Sequence, residues 1–344
     1  KMINKTFKII HEECFDLFDE NKFKFLKNKK ILITGATGLI GQYLIGFFLQ
    51  SLNSKNKPKK IFLISKSKLP SHLNFLKKNS YFKHKKTNLY NMPNSNIGKF
   101  DYIIHGATYA QPLKFTKNDL ETIILNTTVT NELLKKMNKN GKFLFISSSE
   151  LYSGLKKLKL NEEDIGNTTP SHFRACYIES KRCGETIVNS YRKKNYEAKS
   201  ARLCLAYGPG VKKDDNRVLN EFIKKGILQK KITITGGKDN VRAYIYISDA
   251  IKMLLNILFF GKKNVYNVGG VKKISILDLA RSVANELAVP FIYIKDKKNN
   301  QGAPNYVQIN VDRYKKEFKN QKFISLKEGL KKTITWHKEL FKNK

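Results

Sequence analysis

Two hydrophobic rhythms alternate along this chain, and they meet first in residues 29–48, KKILITGATGLIGQYLIGFF. Residues 31–34 form a short unbroken apolar run, the pattern of a buried strand. Three glycines follow at Gly35, Gly38 and Gly41, after which Leu44, Ile45 and Phe48 share one helical face. The segment predicts strand, tight turn, helix. Glycine suits a chain that turns sharply, lets its backbone approach a pyrophosphate and packs a helix closely on its strand. The first N–H groups of such a helix then face phosphate. The stretch is apolar enough to suggest a membrane span, but Thr34, Thr37, Gln42 and the interspersed glycines favour a buried strand–helix unit.

The strand pattern recurs in IFLIS at 61–65, in FDYIIHGAT at 100–108, and at 142–146 within GKFLFISSSELY. It returns in SARLCLAYGP, read as a sixth strand, and in VYNVGG at 265–270. Helical periodicity separates these runs. One helix is predicted over 116–137 through Leu120, Ile123, Ile124, Leu133 and Leu134, and another from about Tyr177. Further helices start near 275–278 and close the chain in SLKEGLKKTITWHKEL. Residues 1–29 read as an amphipathic helical lead-in with Phe7, Ile10, Cys14, Phe15 and Phe18 on one face.

Composition narrows the class. The 344 residues are 41% hydrophobic and 11% aromatic, enough for one large or two modest domains. The first twenty residues mix acids and bases without an apolar stretch of signal-peptide type, which predicts a cytoplasmic protein. Cys14, Cys176, Cys183 and Cys204 lack paired spacing, and the six histidines lack metal-ligand spacing, so reduced thiols and no metal are expected. The net charge of +38 invites a polyanion reading, but the lysines are spread over the whole length without a dense arm. A solvated basic surface, attractive to phosphorylated small molecules, fits better than a specific nucleic-acid or membrane site.

Candidate chemistry lies at strand ends. An acidic residue after the second strand would bind the ribose hydroxyls and favour NAD; this chain has Ser65, Lys66, Ser67 and Lys68, which leaves NADP open. The strand at 142–146 ends in Ser147, Ser148, Ser149 and Glu150. In an open parallel sheet such an end faces the ligand crevice. Tyr177 and Lys181 are four apart and share a helical face. An ammonium beside a phenol lowers its pKa, and the phenolate can then take a hydroxyl proton as hydride leaves for nicotinamide.

In this order GATGLIG, HGAT, SSSELY, Tyr177 with Lys181, LAYGP, RAYIYISDA and SLKEGLKKTI resemble the extended short-chain dehydrogenase/reductases. Within them the likeness is to the nucleotide-sugar epimerase/dehydratase group, over residues 29–338. The resemblance implies an α/β fold: a Rossmann doubly wound parallel sheet with a smaller C-terminal α/β substrate-binding domain. It places a helical extension at 1–29, the NAD(P)-binding domain at 30–206 plus 243–270, and the nucleotide-sugar-binding domain at 207–242 plus 271–344. It implies a homodimer built on the helices around 116–137 and 177–191. Cofactor contacts would come from Gly35, Thr37, Gly38, Leu39, Ile40, Gly41, Ser65, Lys66, Asn88, Leu89, Ala107, Thr108, Tyr177 and Lys181. Substrate contacts would come from Tyr109, Gln111, Ser149, Glu221 and Arg242, with Ser148 orienting the sugar C4 hydroxyl, Tyr177 as base and Lys181 on the nicotinamide ribose.

The reaction turns on Ser149 and Glu150. Related 4,6-dehydratases carry Asp-Glu there, and simple 4-epimerases usually lack the Glu. Ser-Glu, together with the RACY segment before Tyr177, resembles UDP-glucuronate decarboxylases, in which Glu150 or Arg242 would manage charge and protonation at C5. Leu205, Glu221 and Gly302 depart from that pattern, where Asn, Asn and Arg are usual. Another nucleotide sugar, or a 4-epimerase outcome, therefore stays open.

Overall fold

The structure, a computed structural model, describes residues 5–90, 97–235, 237–294, 306–319 and 322–342. The strands are β1 (Lys30–Thr34), β2 (Lys60–Ser65), β3 (Phe82–Lys86), β4 (Phe100–His105), β5 (Met137–Ser148) and β6 (Glu197–Leu203). They continue as β7 (Leu205–Tyr207), β8 (Ile232–Thr235), β9 (Val241–Tyr246), β10 (Val265–Val268), β11 (Lys273–Ser275), β12 (Phe291–Ile294) and β13 (Tyr306–Val307). Seven of them make one sheet in the order β10-β6-β5-β4-β1-β2-β3, and every pairing in it is parallel. Ile31, Leu32 and Ile33 are buried on both faces, which is why β1 reads as an unbroken apolar run. Strand order reverses between β1 and β4, so a crevice opens at their carboxyl ends.

Several sequence expectations need correction. The helix expected over 116–137 is two helices, Asp119–Asn126 and Thr128–Lys135, broken at Thr127. Leu120 and Ile123 on the first are exposed, so its apolar periodicity is not all core. The strand expected at 142–146 extends back to Met137, which pairs with Phe100 across a register shift. SARLCLAY is not one strand: the Cys204 amide still bonds Val268 at 2.8 Å, and the chain then leaves the large sheet as β7. There β7 pairs with β9, which also pairs with β11 and β13, while β8 pairs with β12.

The lead-in is helical over Lys5–Glu13 and continues through single turns at Phe15–Leu17 and Lys24–Leu26. Phe7, Ile10 and Cys14 are buried as expected, but Phe15 is 69% exposed because the helix has already ended. The segment covers the glycine-turn helix Leu39–Ser51, whose residues are buried almost all round. Phe23 meets Phe47 and Phe259 edge-on at 5.0 and 5.8 Å. Each fully buried ring of this kind contributes about 1.5–3 kcal/mol. The Glu13 carboxylate accepts from the hydroxyls of Tyr43 and Tyr246, each at 2.5 Å, and lies 3.5 Å from Lys332.

A buried ion pair ties the helix Ala175–Arg192 to β6. The Arg202 guanidinium grips Glu185 through Nε at 3.0 Å and Nη2 at 2.8 Å, and its Nη1 donates to the Tyr152 hydroxyl and the Glu162 carbonyl, both at 2.9 Å. That helix carries Tyr177 and Lys181, so the pair fixes its height above the sheet.

Candidate active site

The glycine turn is dictated by contacts. Gly35 has φ +74°, and a Cβ there would stand 2.8 Å from the carbonyl carbon of Gly106 at the end of β4. At Gly41 a Cβ would meet the Gly35 oxygen at 2.5 Å. Side chains at either site would push β1, its helix and β4 apart. Gly38 caps the helix and Leu39 and Ile40 open it, so their N–H groups line the turn beside the buried Thr37.

Around this turn the expected cofactor residues divide. Ser65 is buried, and its hydroxyl is engaged with the Ser67 carbonyl at 2.7 Å and His84 at 2.9 Å. It is not free to replace a ribose-binding carboxylate. Lys66 is exposed and donates to the Tyr109 hydroxyl, spanning the ends of β2 and β4. Asn88 is half-buried, whereas Leu89 is buried in the apolar cluster with Leu32 and Phe100. Ala107 donates its N–H to Thr34 at 3.2 Å, and the Thr108 hydroxyl is buried without a partner. Gln111 starts the short helix Pro112–Phe115.

The polar cluster forms where β5 ends. Ser148 Oγ accepts from the Glu150 N–H at 3.2 Å and stands close enough to the Tyr177 hydroxyl to pull its pKa down. Ser149 stands near the Cys204 thiol, which donates to the Ala243 carbonyl at 3.1 Å. The Tyr177 ring stacks on Phe115 at 4.7 Å, and burial pushes its phenol up to about 12, against the pull of Ser148, Arg174 and Arg217. The depression expected from Lys181 is therefore not found in these side chains alone. Lys181 Nζ is held by the Ile146 carbonyl at 2.6 Å and lies over the Phe145 ring.

Burial lowers the Lys181 ammonium from 10.5 to about 7, with Glu185 opposing. The unfolded amine keeps its ordinary value, so the penalty is full below pH 7 and is relieved as pH rises towards 10.5. Replacing Lys181 with Met is expected to stabilise the fold by about 2 kcal/mol at neutral pH after loss of the Ile146 hydrogen bond. That gain should shrink as pH approaches 10, read from denaturant midpoints across pH; a constant gain would contradict it.

Arg242, on β9, donates to the Val241 carbonyl at 2.9 Å and lies within electrostatic reach of Glu150 and Arg174. Glu221 does not join the cluster; it pairs with Lys224 and Lys225 on its own helix, Val218–Gln229. Gly302 lies outside the described residues. The sequence reading passed over Phe115, Arg174 and Arg217. Only RACY hinted at Arg174, since spacing says nothing of which distant side chain it meets. Among the described residues, no cluster of three potential metal ligands forms and no helix is long and apolar enough to cross a membrane.

Residues 31–269, from the glycine turn to the end of the large sheet, match the NAD dependent epimerase/dehydratase family. The chain belongs to that family. UDP-glucuronic acid decarboxylase 6 of Arabidopsis thaliana is 28% identical over 310 residues, covering 89% of this chain and 88% of the relative. Epimerase Mth375 of Methanothermobacter thermautotrophicus superposes with a TM-score of 0.78 at 18% identity, over 98% of this chain and 97% of the other. The UDP-glucuronic acid 4-epimerase from Bacillus cereus, solved with NAD, gives 0.72 at 24% identity, over 92% and 98%. Both structures share the fold.

The cofactor of this epimerase/dehydratase family member is NAD. The residues fit it: Gly35 and Gly41 leave no room for side chains under the turn, and Thr108 offers an unpaired buried hydroxyl beside it.

Proposed function

We propose that this chain modifies a nucleotide sugar by transient oxidation at C4, and that its reaction is decarboxylation of UDP-glucuronate. The observation that carries the reading is Glu150, salt-bridged to Arg174 at 2.9 Å with its other oxygen buried and unpaired, next to Ser148 and Tyr177. A reaction confined to C4 needs no such carboxylate. The similarity to UDP-glucuronic acid decarboxylases supports the choice.

Bound NAD supplies the acceptor that takes the C4 hydride and later returns it. Gly35, Gly38 and Gly41 would hold its pyrophosphate, and Lys181 would meet its nicotinamide ribose. Tyr177, beside Ser148, takes the C4 hydroxyl proton. The ketone so formed is β to the C6 carboxylate. The C5–C6 bond then breaks, carbon dioxide leaves, and its electron pair stays at C5 in conjugation with the ketone. A water held at Glu150 Oε2 delivers a proton to C5, Arg242 balances the anionic charge, and Tyr177 returns its proton to the C4 oxygen. Tyr109, Gln111 and Ser149 line the sugar side.

A second reading, 4-epimerisation, is favoured by Leu205 and Glu221. The first is apolar and the second is spent on neighbouring lysines, so neither offers the amide contact usual in decarboxylases. We further place a homodimer contact on exposed Leu120 and Ile123 beside the helix Ala175–Arg192.

Incubation of the purified protein with NAD and UDP-glucuronate, with UDP-glucose and a GDP-sugar in parallel, tests the proposal. Loss of carbon dioxide by mass is the expected result. An equal-mass isomer of UDP-glucuronate would transfer the assignment to the epimerase.

A further inference from the structure

Arg174 stands at a junction that its neighbours leave incomplete. It is the residue before the helix Ala175–Arg192, and its carbonyl accepts the N–H groups of Tyr177 and Ile178, each at 3.1 Å. Its buried guanidinium lies over the rings of Phe115 and Phe173, at 5.6 and 6.0 Å. Phe115 is the ring on which Tyr177 stacks, with an angle of 10° between planes. Nη2 of Arg174 donates to Glu150 Oε1 at 2.9 Å. Two atoms of this ion pair, Arg174 Nε and Glu150 Oε2, are buried without any partner. A pair built for stability satisfies its remaining donors and acceptors, because unpaired buried polar atoms are costly. The Arg202–Glu185 pair, which joins β6 to that helix with both carboxylate oxygens and all three guanidinium nitrogens engaged, shows how this fold builds one.

We propose that Arg174 is a positioning residue that fixes Oε1 of Glu150 and thereby commits Oε2 to proton transfer at sugar C5. Phe115 sets the Arg174 side chain and the Tyr177 ring against the same wall, so the two proton-transfer groups keep one mutual geometry. Glu150 stays the carboxylate that its pair with Arg174 implies and holds a solvent water at Oε2: as the C5–C6 bond breaks, an O–H bond of that water breaks and C5–H forms, and the hydroxide left takes a proton from bulk solvent. The inference rests on the decarboxylase reading.

The test uses the NAD-loaded full chain and UDP-glucuronate. Arg174→Gln is expected to lower kcat roughly a hundredfold, the low end of what one acid–base group supplies, with KM little changed. It should also release the decarboxylated 4-keto sugar, detected by mass, because oxidation at C4 outlasts faulty handling at C5. Arg174→Lys, which keeps one charged donor, should recover most of kcat, and its thermal midpoint controls for folding. Arg174→Gln added to Glu150→Gln should slow the enzyme no further. Multiplicative losses in that double variant, a raised KM with kcat intact, or wild-type behaviour of Arg174→Gln would each overturn the inference alone. A wild-type protein that leaves UDP-glucuronate unchanged overturns the functional reading and this inference with it.

Discussion

Replacing Tyr177 with Phe is expected to lower turnover at least about a thousandfold while the fold and the affinity for the nucleotide sugar stay close to wild type. The substitution removes one hydroxyl and keeps the ring that stacks on Phe115. What it deletes is the proton acceptor that Ser148 orients. Because burial holds the phenol near 12, wild-type kcat should climb with pH through the alkaline range, and the residual rate of the variant should lack that rise. Turnover above a tenth of wild type, or an unchanged pH profile, would remove Tyr177 from the mechanism.

The second large effect concerns stability. Arg202→Leu leaves Glu185 as a buried carboxylate without its guanidinium, a loss of about 3–5 kcal/mol. Denaturant midpoints measure it. Replacing both residues with Met should recover much of the loss, because the apolar pair no longer strands a charge. A single variant as stable as wild type would show that water reaches Glu185. The effect should reach the site too, since Glu185 is one turn beyond Lys181 on the same helix and raises its ammonium's pKa.

The parts of the molecule that were legible in the sequence are those where one residue type answers a local geometric demand. Gly35 and Gly41 announce themselves because nothing larger fits, and the spacing of Tyr177 and Lys181 places them on one helical face whatever surrounds them. The large parallel sheet followed from unbroken runs such as Ile31 to Ile33. What stayed hidden depends on partners far along the chain. Apart from Arg202 the stretch ARLCLAY is apolar, so no periodicity marks Cys204 as the residue after which the backbone changes sheets. The break at Thr127 interrupts a pattern that reads as continuous. Ser65 stands where a cofactor ligand is expected, but His84 and the Ser67 carbonyl claim its hydroxyl. Beyond the RACY segment nothing local marks Arg174, because its meaning lies in meeting Glu150, 24 residues earlier.

The grip of Glu13 on Tyr43 and Tyr246 also sets an order of assembly during synthesis. Tyr246 follows Glu13 by 233 residues, which at the usual 5–20 residues per second is a delay on the order of ten to fifty seconds. Tyr43 is only 30 residues away and emerges early. During the interval the apolar side of the lead-in, with Phe7, Ile10 and Cys14, has the helix Leu39–Ser51 as its first shelter on the nascent chain. The extension and the glycine-turn helix can thus bury each other's apolar faces using residues 5–51 alone. Only when Tyr246 and then Lys332 arrive does Glu13 join segments that lie more than two hundred residues apart in the sequence.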